Sequence, residues 1–128
     1  ASSEELRRVL AHWHSLVAEG GHVVIQLLNY RRVLDAGERI VNIRRDGATT
    51  IVRFYDFLDT RLRFNILSIT ETPDGMAHDL QSTLLTPFTV EQIEAATREA
   101  GFVQIERFGS LRFAPLTQES TDLVVTMG

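Results

Sequence analysis

Asn29 and Tyr30 are the first residues in the chain whose types and position suit chemistry. They directly follow the apolar run Val23, Val24, Ile25, Gln26, Leu27 and Leu28. The change from apolar to polar therefore falls at the carboxyl end of a strand, where ligands of open α/β sheets bind. The carboxamide can hold a polar atom, and the phenol can pack an apolar one while keeping a hydrogen bond. The same pair can equally cap a short helix and fill a core. A second set is Arg53, Tyr55 and Asn65. Arg53 and Tyr55 share one strand face, and Asn65 is expected to meet them across a ladder. Together they would offer a cation and neutral hydrogen-bonding groups to an anionic or polar substrate; the alternative is an exposed arginine over a packed tyrosine. These five residues are the candidate substrate-binding set. Asp56, on the other face of the same strand, is expected to pair with Arg61 or Arg63 in a structural role.

Other chemistries find less support. With no cysteine, disulfides, thiolate zinc sites and a cysteine nucleophile are all excluded. His12 and His14 are two apart on a helix and point to different faces, which is wrong for shared metal ligation. His78, beside Asp79, could act as a base near neutral pH, but a solvated or core histidine is the favoured reading. No serine, histidine and aspartate carry the spacing cue of a nucleophilic triad. No metal site is expected, and no catalytic residue is assigned. The net charge is −4 and the 13 basic residues are all arginine, interleaved with carboxylates rather than gathered in a stripe. That argues against nucleic acid. No apolar run approaches the roughly 20 residues of a membrane span, and no signal segment opens the chain. A cytoplasmic, soluble protein is the expectation.

Three stretches must position these residues within a single 128-residue unit. In residues 2–38, Ser2 and Glu5 have capping-box spacing, and Leu6, Val9, Leu10, Trp13, Leu16 and Val17 form one helical stripe that ends at Gly20-Gly21. The run from Val23 then predicts a strand buried on both faces, with a short helix after it. Residues 39–86 alternate, with candidate strands at 39–45, 49–57, 61–70 and 76–85 separated by short turns that include Asp46-Gly47 and Pro73-Asp74-Gly75. This predicts an antiparallel meander. In residues 87–128, Thr89 and Gln92 repeat the capping-box spacing before a helix that Gly101 ends. Phe102, Val103, Ile105 and Phe108 make one strand, and Leu123, Val124 and Val125 make the last. The fold class is α/β, with an α+β appearance in a chain of this length.

Three of these segments carry a resemblance. Gly20-Gly21 before His22-Val23-Val24-Ile25, Thr89-Val90-Glu91-Gln92-Ile93 before Ala100-Gly101-Phe102, and Ser120-Thr121-Asp122-Leu123-Val124-Val125 resemble the last part of class I S-adenosylmethionine-dependent methyltransferases. In that family a glycine pair precedes the fifth strand, a helix leads into the sixth, and a seventh closes the sheet. The inserted meander and the pair Asn29-Tyr30 look closest to the glycine N-methyltransferase-like branch. Leu28 stands where that branch places an arginine for the substrate carboxylate, which argues against an amino-acid acceptor. The chain contains no Gly-x-Gly, so the cofactor motif is missing.

The resemblance implies the C-terminal half of such an enzyme, with the meander as a lid over a small-molecule acceptor and the cofactor-binding half upstream of Ala1. It implies S-adenosylmethionine as the parent's cofactor, no cofactor-binding residue in this chain and no activity for the chain alone. It also implies that the strand at Val23 lies beside the strand at Leu123, with the strand at Val103 beyond the latter. Without its upstream partner the chain is expected to form a homodimer, by edge pairing or by exchange of the first helix and strand, with Val23–Leu28 or the stripe of Leu6, Leu10 and Trp13 in the interface. The rival readings are a non-catalytic α+β module that binds a small ligand, and a dimerisation domain.

Overall fold

A computed structural model describes residues 2–128. The elements in chain order are α1 (Ser3–Leu16), β1 (Val23–Leu28), α2 (Tyr30–Ala36), β2 (Ile40–Asp46), β3 (Thr49–Phe57), β4 (Leu62–Thr72), β5 (Gly75–Leu85), α3 (Val90–Glu99), β6 (Ile105–Phe108) and β7 (Asp122–Met127). They form two compact units, one of residues up to Ala36 together with Phe88–Gly128, the other of Gly37–Pro87.

In the first unit both long helices start from capping boxes. The Ser2 hydroxyl accepts from the Glu5 amide while the Glu5 carboxylate accepts from the Ser2 amide, each at 3.2 Å. Thr89 and Gln92 do the same at 3.2 and 2.9 Å. Each box satisfies amide donors that a helix start leaves unpaired. Gly101 follows α3 at φ +106°, and a Cβ there would come within 3.0 Å of the His14 ring. Backbone conformation and close approach both require glycine. His14 meets Phe102 edge-on at 4.9 Å, a packing role.

The sheet of this unit has the order β1-β7-β6, with both pairings antiparallel. This is the neighbour relation implied by the family resemblance. Leu123, Val125 and Met127 point to one face of β7 and join Leu10 of α1, Ile93 and Ala96 of α3, and Phe102 in a buried core. Leu6, Trp13 and Val17 pack on it, as do Val23, Ile25 and Leu27. The stripe of Leu6, Leu10 and Trp13 is thus occupied within the chain, with Leu10 fully buried.

Two expectations are corrected. The apolar run of β1 predicted burial on both faces, yet Val24 is 50% and Leu28 38% exposed. Among the described residues β1 pairs only with β7, and the face bearing Val23, Ile25 and Leu27 packs on the core shared with the helices. Residues 102–104 were expected to belong to the strand that becomes β6. Instead the Val103 and Gln104 amides both donate to the Gly128 carbonyl, at 3.0 and 3.1 Å, and Val103 is 87% exposed. Regular pairing begins only at Ile105.

The second unit is the expected meander, β2-β3-β4-β5, antiparallel throughout. Gly47 adopts φ +60° in the tight turn between β2 and β3, a conformation that such hairpins demand. The β3–β4 register runs from Thr49 opposite Thr70 to Phe57 opposite Leu62, without a break.

Burial separates the two ends of the α1 stripe. Leu10→Ala should lower the unfolding free energy by about 3 kcal/mol through lost burial and a residual cavity. Leu16→Ala, at a position 69% exposed, should change it by less than about 0.5 kcal/mol. Urea unfolding followed by circular dichroism checks both. Equal effects would mean that α1 does not dock through Leu10.

Candidate functional site

The junction of β1 and α2 is built around Asn29. Its amide donates to the Thr121 carbonyl at 3.0 Å, and its own carbonyl accepts from Val33 at 3.3 Å to open α2. Its side-chain Nδ2 donates to the Ser120 carbonyl at 2.9 Å. One residue therefore ends β1, starts α2 and ties both to the segment leading into β7. Tyr30, the next residue, lines a cavity of about 350 Å³ in the first unit, and Asn29 lies on the wall beside it. Arg31, Arg32 and Asp35 of α2, Phe88 to Glu91 at the start of α3, Arg107 of β6, Leu123 of β7 and Leu116 to Gln118 of the loop before β7 complete the lining.

The lining combines the apolar side chains of Phe88, Val90, Leu116 and Leu123 with the charged ones of Arg31, Arg32, Asp35, Glu91 and Arg107. Arg31 pairs with Glu91 at 3.7 Å, and Arg107 with Glu94 at 3.5 Å. Arg32 has no ion pair among the described residues and is the cation left for a ligand. The lining contains no histidine, so the arrangement can bind and orient a small polar molecule, but offers only the carboxylates of Asp35 and Glu91 as proton acceptors. Arg32, Phe88, Arg107 and Leu116 were not singled out from the sequence. They come from four separate segments, and no spacing links them.

The second unit distributes its candidates differently. Arg53 stands opposite Ile66 and Tyr55 opposite Phe64, whereas Asn65 stands opposite Phe54. Directly opposed residues share a face, so Asn65 projects from the face opposite to Arg53 and Tyr55 and does not meet them. Arg53 donates to the Asn42 side chain at 3.1 Å. Tyr55 is buried between Phe57 and Phe64, with ring centroids 6.3 and 5.6 Å away, and burial pushes its phenol up. Asn65, 2% exposed, donates to the Asp56 carboxylate at 3.0 Å and accepts from the Ser82 hydroxyl at 2.6 Å. Asp56 also pairs with Arg39 and, at 3.5 Å, with Arg63. Of the two partners expected for Asp56, Arg63 is used and Arg61 is not. Both Asn65 and Asp56 are committed to the sheet.

The strand-to-helix junction of the first unit is Leu28-Asn29-Tyr30, without a glycine, and the positive-φ glycines follow helices or sit in hairpin turns. Among the described residues no cluster of metal-ligating side chains is present, and no helix is long and apolar enough to cross a membrane.

The β1-β7-β6 sheet backed by α1 and α3, with a meander inserted between β1 and α3, has the fold of about half of a class I S-adenosylmethionine-dependent methyltransferase. Among solved structures, an S-adenosylmethionine-dependent methyltransferase from Clostridium acetobutylicum superposes with a TM-score of 0.81 at 10% identity, over 98% of this chain and 51% of that one. The CcbJ methyltransferase of Streptomyces caelestis gives 0.81 at 16% identity, over 98% and 50%. CalS10, an amino pentose methyltransferase from Micromonospora echinaspora, gives 0.65 at 19% identity, over 99% and 52%. The chain thus spans about half the length of the structures it matches. No family model and no curated protein sequence matches it.

The hydrogen bond from Asn65, followed by the Arg39 and Arg63 guanidiniums, holds the Asp56 carboxyl below the ordinary range and outweighs the opposing effect of burial. A carboxyl depressed in the folded state contributes stability that is complete above its unfolded value of about 3.9 and is lost as pH falls through the lower folded value. Wild type should therefore lose more of its urea midpoint than Asp56→Asn when pH drops from about 6 to about 2.5. Identical losses in the two proteins would show that Asp56 is not the group responsible.

Proposed function

We propose that this chain is the substrate-side half of an S-adenosylmethionine-dependent methyltransferase acting on a small molecule, with the cofactor-binding half outside these 128 residues. The observation that carries the reading is the superposition of nearly the whole chain on half of known methyltransferases. It is supported by β1, whose second edge has no partner strand among the described residues and whose Val24 and Leu28 stay exposed. A strand that is apolar throughout is suited to the interior of a larger sheet. S-adenosylmethionine would supply the methyl group in the parent, held by residues that this chain lacks.

In this proposal the chain's own residues bind and orient the acceptor and exclude water, which suffices for an in-line displacement whose barrier is lowered mainly by alignment. Tyr30 and Arg32 hold the acceptor in the cavity beyond β1, with Asn29 fixing the junction that presents them. Arg53 stays a candidate within its own unit, whereas Tyr55 is withdrawn because it is buried between Phe57 and Phe64. Asn65 is withdrawn from the set because of its commitments to Asp56 and Ser82. The glycine N-methyltransferase-like branch remains the proposed placement, and Leu28 disfavours an amino-acid acceptor. The amino pentose named for CalS10 makes a polar, amine-bearing sugar the first acceptor class to test.

Two measurements check the reading. By calorimetry, this chain alone should show no saturable binding of S-adenosylmethionine, and micromolar affinity would overturn the division of labour. In the intact protein, Arg32→Ala should raise the acceptor KM about tenfold or more, the loss expected for one charge-assisted hydrogen bond. Its affinity for S-adenosylmethionine should stay within about twofold. A matching loss of cofactor affinity would mean that Arg32 does not serve the acceptor.

A further inference from the structure

Two Asp-Gly pairs stand at hairpin tips of the second unit, Asp46-Gly47 between β2 and β3 and Asp74-Gly75 between β4 and β5. Before glycine, a backbone amide attacks the preceding carboxyl most readily, because no side chain obstructs the approach. All four residues are exposed, and neither glycine has anything beyond its chain neighbours within 4 Å of where a Cβ would stand. Exposure and space therefore do not separate the two sites, but their fastening does. The Gly47 carbonyl accepts from Arg45 Nε at 3.2 Å, the same guanidinium reaches Glu71 at 3.3 Å, and the Glu71 amide donates to the Ala48 carbonyl at 3.0 Å. The first turn is thus tied across the sheet to β4. Asp74 instead lies in the loop between Thr72 and Gly75, the last pair of the β4–β5 ladder. Its carboxylate has no hydrogen bond or ion pair among the described residues. The side-chain bond at this tip runs from the Thr72 hydroxyl to the Gly75 carbonyl at 3.1 Å.

We infer that Asp74 is a site of spontaneous backbone isomerisation and that the fold protects Asp46 from the same reaction. The Gly75 amide nitrogen bonds to the side-chain carboxyl carbon of Asp74. The amide proton and the carboxyl hydroxyl leave together as one water, which closes a succinimide ring. Water then adds back at either ring carbonyl. Opening at one restores aspartate, and opening at the other leaves the main chain running through the side-chain carbon, as isoaspartate. No oxidant, reductant or cofactor enters, and the product has the composition of the starting chain. Closure requires rotation about the Cα–Cβ and Cα–C bonds of Asp74, so the Thr72–Gly75 pair must open. At a hairpin tip that is local fraying, among the least costly openings a fold allows. For Asp46 the same rotation works against a turn held at Gly47 and Ala48 by Arg45 and Glu71.

Isoaspartate adds one carbon to the main chain inside a loop made only of Pro73 and Asp74. Such short hairpin loops accept few backbone geometries, so the lengthened loop no longer sets Thr72 opposite Gly75. The change stays local. β5 is an edge strand exposed along nearly its whole length, and β2, β3 and β4 keep their own pairing. The inference does not depend on the proposed activity.

The test ages the 128-residue chain for several weeks at neutral pH and physiological temperature. Trypsin, cutting after arginine, then separates Asp46 and Asp74 into peptides 46–53 and 64–98. Electron-transfer fragmentation, which breaks the extra carbon–carbon bond of the main chain, locates isoaspartate within each. Isoaspartate at position 74 should exceed that at position 46 by about fivefold or more, and the difference should vanish in chain aged in guanidinium, where the turns are unfolded. Asp74→Glu should abolish the product at position 74, because the added methylene would demand a larger, disfavoured ring. Asp74→Asn should speed ring closure, since ammonia leaves in place of water, and yield aspartate and isoaspartate together. Equal accumulation at both turns of the folded chain overturns the inference. So does the absence of isoaspartate at position 74 beyond that in fresh protein, or a difference between the turns that survives unfolding.

Discussion

Strand β7 is the constraint on which the first unit depends. Leu123, Val124 and Val125 are almost completely buried in succession, which a strand achieves only when both faces are covered and both edges paired. β1 and β6 supply the edges, each antiparallel to it, and α1 and α3 supply one face through Leu10, Ile93 and Ala96. The chain order of these elements then follows. A central strand that comes last requires every neighbour to be in place before the end of the chain, so the unit's contacts are long-range. The junction at Asn29 is one consequence, since its side chain and backbone reach residues 120 and 121 to hold the beginning of β7.

The contrast between β7 and β1 carries the case for a larger sheet. Both have apolar sequences, but β1 alternates between half-buried and exposed along its length and uses one edge. A strand evolved to lie at a wet edge would place polar groups at Val24 and Leu28, as edge strands commonly do. Retaining apolar residues there forfeits roughly 1.5 to 3 kcal/mol for each side chain left in water. In the proposed parent the missing half would cover the strand, and the half-length superposition and the exposure of β1 both support that proposal.

Much of this architecture was legible in the residues themselves. Both capping boxes, the glycine stops and the four strands of the meander follow from local chemistry: side chains that satisfy helix ends, and Gly47 or Asp74-Gly75 where the backbone must reverse. The site was legible only at Asn29 and Tyr30, because a strand end is marked by a change of polarity along the sequence. The placement of Asn65 was not. Whether it shares a face with Phe54 or with Tyr55 depends on the loop from Leu58 to Arg61, which sets Phe57 opposite Leu62, and a slip of one residue there reverses every side chain of β4. The rest of the cavity, from Phe88 to Arg107 and Leu116, is assembled by tertiary packing and leaves no periodic trace.

That sensitivity to register gives the buried polar cluster its meaning. The apolar rows of the meander are nearly interchangeable, since Val52, Leu67, Ile69 and Leu80 would pack almost as well one pair further along. They cannot by themselves choose one alignment. Asn65 can, because its amide donates to Asp56 on β3 while its carbonyl accepts from Ser82 on β5. Shifting β4 against either neighbour would leave a buried amide without partners, at about 1 to 3 kcal/mol, and strip the Asp56 carboxylate of a hydrogen bond as well. The net stability contributed by such a cluster is small, because its groups were well solvated before folding. Its effect is on the gap between the native register and its competitors, and that gap keeps Arg53 and Tyr55 on one face of β3 and Val52 and Phe54 on the other.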